Sequence, residues 1–137
     1  MYSITLLYAG LSAVILLALS FQVVGLRRKH QIGLGTGDSP ALERAVRVHA
    51  NFCEYAPIAL LLLLVLELSG SLPSWLLHGL GLMLVIGRIL HALGLSRSAG
   101  TSSGRFVGTL LTWLMILVAG LLAVGIAIGA MLAQVAG

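Results

Sequence analysis

The sequence predicts an all-α membrane protein, a single domain built as a bundle of four transmembrane helices. Of its 137 residues, 59% are hydrophobic and only 9% are charged, which is too little charge for the surface of a soluble domain. Four long apolar tracts recur along the chain. Each can cross a hydrocarbon core of about 30 Å, which takes about 20 helical residues, and none shows the alternation typical of a strand.

The apolar tracts predict helices over residues 4–26, 44–68, 75–95 and 105–133. The first tract has no basic segment before it and no clear cleavage site after it, which indicates a retained membrane helix and not a signal peptide. Polar, glycine-rich segments separate the tracts. In the first of these segments, Asp38, Ser39 and Pro40 are residues typical of a helix start.

Two glycine pairs with a spacing of four residues lie in the last part of the chain, Gly104 with Gly108 and Gly125 with Gly129. Small residues at this spacing let membrane helices approach closely, within a subunit or between subunits. Glycine is also common in membrane helices without such a role, so both interpretations stay open.

The basic side chains predict how the chain is oriented. They cluster in or beside the first and third connections, whereas the 69–74 connection and both ends of the chain carry no Lys or Arg. The positive-inside rule then places the first and third connections in the cytoplasm and both termini on the other side. The formal charge of +4 is small and scattered, which argues against a nucleic-acid partner.

The second helix carries a stripe of polar side chains at its cytoplasmic end. At 100° per residue these side chains fall within an arc of about 100°; we call them the polar stripe, and they are Arg44, Arg47, Asn51, Glu54 and Tyr55. Charged groups at membrane depth normally face a bundle interior or a wet cavity. The stripe therefore indicates a polar site inside the bundle.

The other helices bring polar groups to the same level. Arg88 and His91 are three residues apart on the third helix and so share a face. Arg105 opens the fourth helix, with Thr109 and Thr112 on the same side, and Arg27 ends the first helix. Most of these groups are cations or hydrogen-bond donors, so the pocket suits an anionic ligand that enters from the cytoplasm.

A purely structural interpretation of the same residues is also open. The arginines could anchor the helices by extending to the interface, and Glu54 could pair with Arg88 as a bridge within the bundle. His91 could be an interior histidine with satisfied hydrogen bonds, and Glu67 an ordinary interfacial carboxylate. Cys53 lies off the polar stripe with no base beside it in the sequence, so it is not expected to act as a nucleophile.

The segment "ERAVRVHANFCEYAP", residues 43–57, closely resembles the signature of the MAPEG family, the membrane-associated proteins in eicosanoid and glutathione metabolism. That signature is Glu-Arg, Arg three residues on, Asn four later, then Glu and Pro. The matching residues here are Glu43, Arg44, Arg47, Asn51, Glu54 and Pro57. The resemblance covers nearly the whole chain, and the compact length is similar to that of bacterial members, which implies a bacterial inner membrane.

The resemblance implies a homotrimer that binds glutathione between neighbouring subunits near the cytoplasmic face. It implies Arg105 as the residue that activates the glutathione thiol. The implied glutathione contacts are Arg27, Arg47, Asn51, Glu54, Tyr55, Arg88 and His91. An ungapped match places Ser102 at the position of the activating arginine, so Arg105 fits after a shift of a few residues in the loop. Leu95 stands where several members have a tyrosine.

The function that the resemblance implies is that of a glutathione-dependent transferase or peroxidase. Arg105 would stabilise the glutathione thiolate, while Arg27 and Arg47 would bind its carboxylates through guanidinium forks. The second substrate would be a hydrophobic small molecule or a lipid that arrives from the bilayer. The alternative is a non-catalytic membrane scaffold or lipid-binding protein of the same fold. A transporter is less supported, because the chain has no internal repeat.

Overall fold

The computed structural model describes residues 3–97 and 102–136. In this part of the chain four α-helices follow one another, α1 (Ser3–His30), α2 (Pro40–Ser69), α3 (Ser74–Arg97) and α4 (Ser103–Ala136). Each contains a stretch long and apolar enough to cross a membrane, which confirms the predicted all-helical architecture. Every helix begins before and ends after its predicted bounds, because hydropathy marks only the apolar part of a helix that continues into the interface.

The helix ends show why the predicted bounds were too narrow. The basic run Arg27–His30 continues α1, since cations at a helix C-terminus interact favourably with the helix dipole. The α2 helix begins at Pro40 behind Ser39, whose Oγ accepts a hydrogen bond from the Leu42 N–H at 3.3 Å. Ser39 is therefore an N-cap and Pro40 occupies the first helical position, where an N–H is not needed.

The α2 and α3 helices occupy the centre of the bundle. The α1 helix packs against α2 and α3, and α4 packs against α3 and α2, while α1 and α4 do not meet within the described residues. The main hydrophobic cluster contains leucines of α2 and α3 together with Ile4 and Tyr8 of α1 and Met115 and Ala119 of α4. This arrangement brings together the ends of α2, α3 and α4 that adjoin the first and third connections.

Glycines allow α3 and α4 to approach closely. A Cβ atom added to Gly108 would lie 2.5 Å from the Gly87 carbonyl oxygen and 2.5 Å from the backbone nitrogen of His91. Gly104 likewise faces the backbone of α3, so this glycine pair packs within the protomer. Among the residues that the structure describes, no atom lies within 4 Å of a Cβ added to Gly125 or Gly129, so these two glycines do not mediate a close helix contact in this part of the chain.

Polar groups connect the helices at the end of the bundle where α1 begins and α2 ends. The Glu67 carboxylate accepts hydrogen bonds from the N–H groups of Ile4 at 2.9 Å and Thr5 at 2.7 Å. The Tyr8 hydroxyl donates to the His78 carbonyl oxygen at 3.0 Å. Glu67, predicted to be an ordinary interfacial carboxylate, has the additional role of capping the otherwise unpaired amide groups at the start of α1.

Candidate functional site

Arg88 is the centre of a buried hydrogen-bond network in the half of the bundle near the first and third connections. Only 3% of its surface is exposed. Its Nη1 donates to Asn51 Oδ1 at 2.7 Å, its Nε to Thr112 Oγ1 at 3.0 Å and its Nη2 to the Gly108 carbonyl at 3.4 Å. The network therefore connects α2, α3 and α4 at one level.

The Arg88 guanidinium also lies over an aromatic ring. Its carbon is 5.4 Å from the centre of the Tyr55 ring, a distance at which a cation is attracted to the ring face. Glu54 is exposed, and all the Arg88 contacts go to neutral groups. The alternative of a Glu54–Arg88 bridge is therefore wrong for this protomer.

Above the network lies a cavity of about 260 Å³, which we call the polar cavity. It is lined by Pro40, Glu43, Arg44, Arg47, Asn51, His91 and Arg105. Three guanidinium groups and one carboxylate give it an excess of positive charge. The folded chain thus brings the predicted site residues Arg47, Asn51, His91 and Arg105 around one space.

A second cavity of about 690 Å³ lies against α4, and we call it the apolar cavity. Its lining residues are His91, Ser102, Ser103, Arg105, Phe106, Thr109, Leu110 and Trp113. Phe106 and Trp113 are 69% and 54% exposed, so this cavity reaches the outer surface of the bundle. His91 and Arg105 line both cavities and form their common wall.

The remaining predicted site residues lie elsewhere in the protomer. Arg27 Nη1 donates to the carbonyl oxygens of Ile32, Gly33 and Gly35 at 3.3, 3.3 and 3.0 Å. Arg27 therefore holds the connection that follows α1. Glu54 and Tyr55, like Arg27, line neither of the two cavities.

Sequence reasoning did not find the apolar cavity. Its residues Phe106, Leu110 and Trp113 follow one another at spacings of four and three, which predicts one helical face. An apolar face of a membrane helix is also the normal lipid-facing surface, so this spacing does not distinguish the two. Ser102, predicted to align with an arginine, instead accepts a hydrogen bond from the Arg105 N–H at 3.3 Å and caps α4.

The fold and the site define a class of protein, a four-helix membrane bundle with an arginine-lined cavity beside an apolar one. Residues 5–125 match the profile of the MAPEG family, and the chain belongs to this family. The inner membrane protein YecN of Escherichia coli K12 is 41% identical over 91 residues, which cover 66% of this chain and 69% of YecN. YecN of the Escherichia coli O6:H1 strain CFT073 matches to the same extent.

Proposed function

We propose that this protein is an inner-membrane enzyme that uses glutathione to conjugate or reduce hydrophobic electrophiles. The observation that carries the proposal is the common wall of the two cavities. A polar, positively charged space suits an anionic peptide, and an apolar space suits a membrane-soluble substrate. His91 and Arg105 lie between them, where the two substrates would react. The inner-membrane location is proposed from the name of the relative YecN.

The polar cavity offers a partner for each type of polar group in glutathione. Arg44 and Arg47 suit its carboxylates, because a guanidinium binds a carboxylate through two parallel hydrogen bonds. Glu43 suits its ammonium group and lines the cavity, unlike Glu54. Asn51 accepts from Arg88 through Oδ1, so its amide nitrogen is the end available to donate to a peptide carbonyl.

We assign Arg105 to the thiol group of glutathione. A positive charge beside the sulfur favours the thiolate, which is the nucleophilic form. The thiolate would attack an electrophilic atom of a substrate in the apolar cavity. Arg88 would act as a positioning residue, because its buried bonds hold Asn51 and α4 in place.

The proposed assembly is a homotrimer with glutathione bound between neighbouring subunits. Arg47 and Glu54 are exposed on α2, a helix long and apolar enough to cross the membrane. Charged groups at membrane depth normally face protein or water and not lipid. A neighbouring subunit would cover them. In such an assembly Arg27, Glu54 and Tyr55 would meet a glutathione molecule bound mainly by the neighbour.

One observation favours the alternative of a non-catalytic scaffold or lipid-binding protein. The Arg88 network is satisfied entirely by groups of the same protomer. These hydrogen bonds of Arg88 therefore stabilise the helix bundle whether or not a ligand binds. The two functions differ in whether the protein binds glutathione at all.

The test is glutathione binding by calorimetry, together with turnover of chlorodinitrobenzene, on the detergent-purified chain. Arg47→Ala should abolish measurable binding. Arg105→Ala should retain binding but lower kcat about 100-fold to 1,000-fold, the order lost with one transition-state donor. Arg28→Ala is the matched control, since Arg28 is exposed and lines neither cavity.

The outcomes separate the proposals. If wild-type protein does not bind millimolar glutathione, the scaffold function is favoured. If Arg105→Ala turns over as fast as wild type, Arg105 does not activate the thiol.

A further inference from the structure

We propose that Ser20, His49 and Cys53 form a second, thiol-based site on the α1–α2 surface, at which Cys53 is alkylated by α,β-unsaturated aldehydes dissolved in the bilayer. None of the three residues lines either cavity. The proposal is therefore independent of the proposed glutathione function.

Cys53 and His49 are in contact. They lie four residues apart on α2 and so are neighbours on one helical face. The Cys53 Sγ is 3.9 Å from His49 Nδ1, and Cys53 is exposed. The expectation that Cys53 has no base beside it was wrong, because His49 lies one helical turn before Cys53 on the same side of α2.

A hydrogen bond with Ser20 of α1 determines which nitrogen of the neutral His49 ring carries the proton. The other nitrogen is then able to act as a base toward the thiol. The Ser20 Oγ lies 2.8 Å from the Leu16 carbonyl oxygen, which can only accept, so the single hydroxyl proton is donated there. The same Oγ lies 3.1 Å from His49 Nε2 and must accept from it. Nε2 therefore carries the proton of the neutral ring, and Nδ1 is left as the acceptor that faces Cys53.

The three side chains thus have the order nucleophile, base and orienting group. This order is the one that activates a weak nucleophile in proteins, since the base takes the proton while a third group fixes the orientation of the base. Here the orienting group comes from a different helix than the other two. The arrangement depends on α1 packing against α2.

The surroundings of Cys53 determine which reagents can reach it. It lies six residues beyond Arg47, or about 9 Å further along the helix axis, within the apolar tract. Leu17 and Phe21, on α1 near Ser20, are 56% and 71% exposed. A reagent must therefore come through hydrocarbon, which favours an apolar electrophile. Unsaturated aldehydes dissolve in bilayers and add to a thiol without any other reactant.

The reaction is a conjugate addition. A bond forms between Cys53 Sγ and the β-carbon of the aldehyde, while the carbon–carbon π bond breaks and its electrons move to the carbonyl group as an enolate. The thiol proton passes to His49 Nδ1 and from there to the α-carbon. The product is a thioether aldehyde, and His49 returns to its neutral form.

The chain has one cysteine, and since an unsaturated aldehyde also adds to lysine and histidine, the Cys53 adduct is the part of the intact-mass signal that Cys53→Ser lacks. The full chain would be reconstituted in phosphatidylcholine vesicles without glutathione, and the initial rate of adduct formation with trans-2-nonenal measured. His49→Gln should lower the Cys53-dependent rate about 100-fold or more, the order expected for loss of a general base. Ser20→Ala should lower it several-fold, and Ser20→Thr should keep it near the wild-type rate because threonine keeps the hydroxyl. Cys53→Ser gives the background from lysine and histidine, which is subtracted from every rate.

Three results would overturn the proposal. The first is a wild-type rate no higher than that of His49→Gln with the same helical circular dichroism. The second is the absence of an adduct in vesicles when one forms in denaturing detergent, since Cys53 is then covered by another copy of the chain. The third is equal rates for Ser20→Ala and Ser20→Thr. This result tests the proposal even if His49→Gln does not fold.

Discussion

Arg88 carries a charge inside a helix bundle that has few other polar groups. An isolated charge in such a place is costly, and it is tolerated when its N–H groups have partners. Asn51, Thr112 and the Gly108 carbonyl provide these partners, and the Tyr55 ring covers the guanidinium. Because all of these groups are neutral, Arg88 remains a source of positive potential beneath the polar cavity.

Arg88→Lys should destabilise the protein. A lysine ammonium keeps the charge but cannot reproduce the planar fork that reaches Asn51 and Thr112 together. Leaving buried acceptors without donors costs about 1–3 kcal/mol each, so we expect a lower thermal unfolding midpoint by circular dichroism in detergent. Arg28→Lys is the matched control at an exposed site, where the change should stay within about 0.5 kcal/mol. Equal midpoints for the two variants would contradict the structural role of Arg88.

The candidate site depends on how closely α3 and α4 pack. Gly87 and Gly94 of α3 meet Gly104 and Gly108 of α4. Without side chains at these positions, the two backbones come close enough for His91 and Arg105 to line the same cavities. The helix pair therefore determines the distance between the polar groups of the site.

Gly108→Ala should separate α3 from α4. The added Cβ would lie 2.5 Å from backbone atoms of Gly87 and His91, and backbone atoms cannot move without shifting the helix. Overpacking of this kind typically costs about 1–3 kcal/mol, so both the unfolding midpoint and glutathione binding should fall. Gly120→Ala on the same helix is the matched control, because no atom of the described residues lies within 4 Å of a Cβ added to Gly120. It should be neutral or stabilising by up to about 1 kcal/mol, and a Gly108→Ala variant that behaves like it would contradict the close packing.

The whole molecule separates its polar groups into two ends. Basic side chains surround the first and third connections, while Glu67, Tyr8 and His78 lie at the opposite end of the bundle. A cytoplasmic excess of Lys and Arg determines how membrane helices insert. The polar cavity would then open toward the cytoplasm, where glutathione is found.

Introduced cysteines would test this orientation. In a Cys53→Ser background, Leu34→Cys lies in the first connection, where Leu34 is 93% exposed, and Ser71→Cys lies in the exposed second connection. A membrane-impermeant thiol reagent added outside intact cells should label Ser71→Cys but not Leu34→Cys. The reverse pattern would contradict the predicted topology and would place the polar cavity on the other side of the membrane.

The four helices, the basic connections, the polar stripe on α2 and the family could all be predicted from the sequence. Hydropathy, helical periodicity and a local motif suffice for them, because these depend on residues close together in the chain. No such pattern predicts that Arg88 bonds to Asn51 and Thr112 and not to Glu54, that His91 and Arg105 line the same two cavities, or that Ser20 orients His49 toward Cys53. Each of these depends on the depth and rotation at which two helices meet. Those are set by many packing contacts between distant residues, such as that of Gly108 with Gly87, which no local pattern in the sequence specifies.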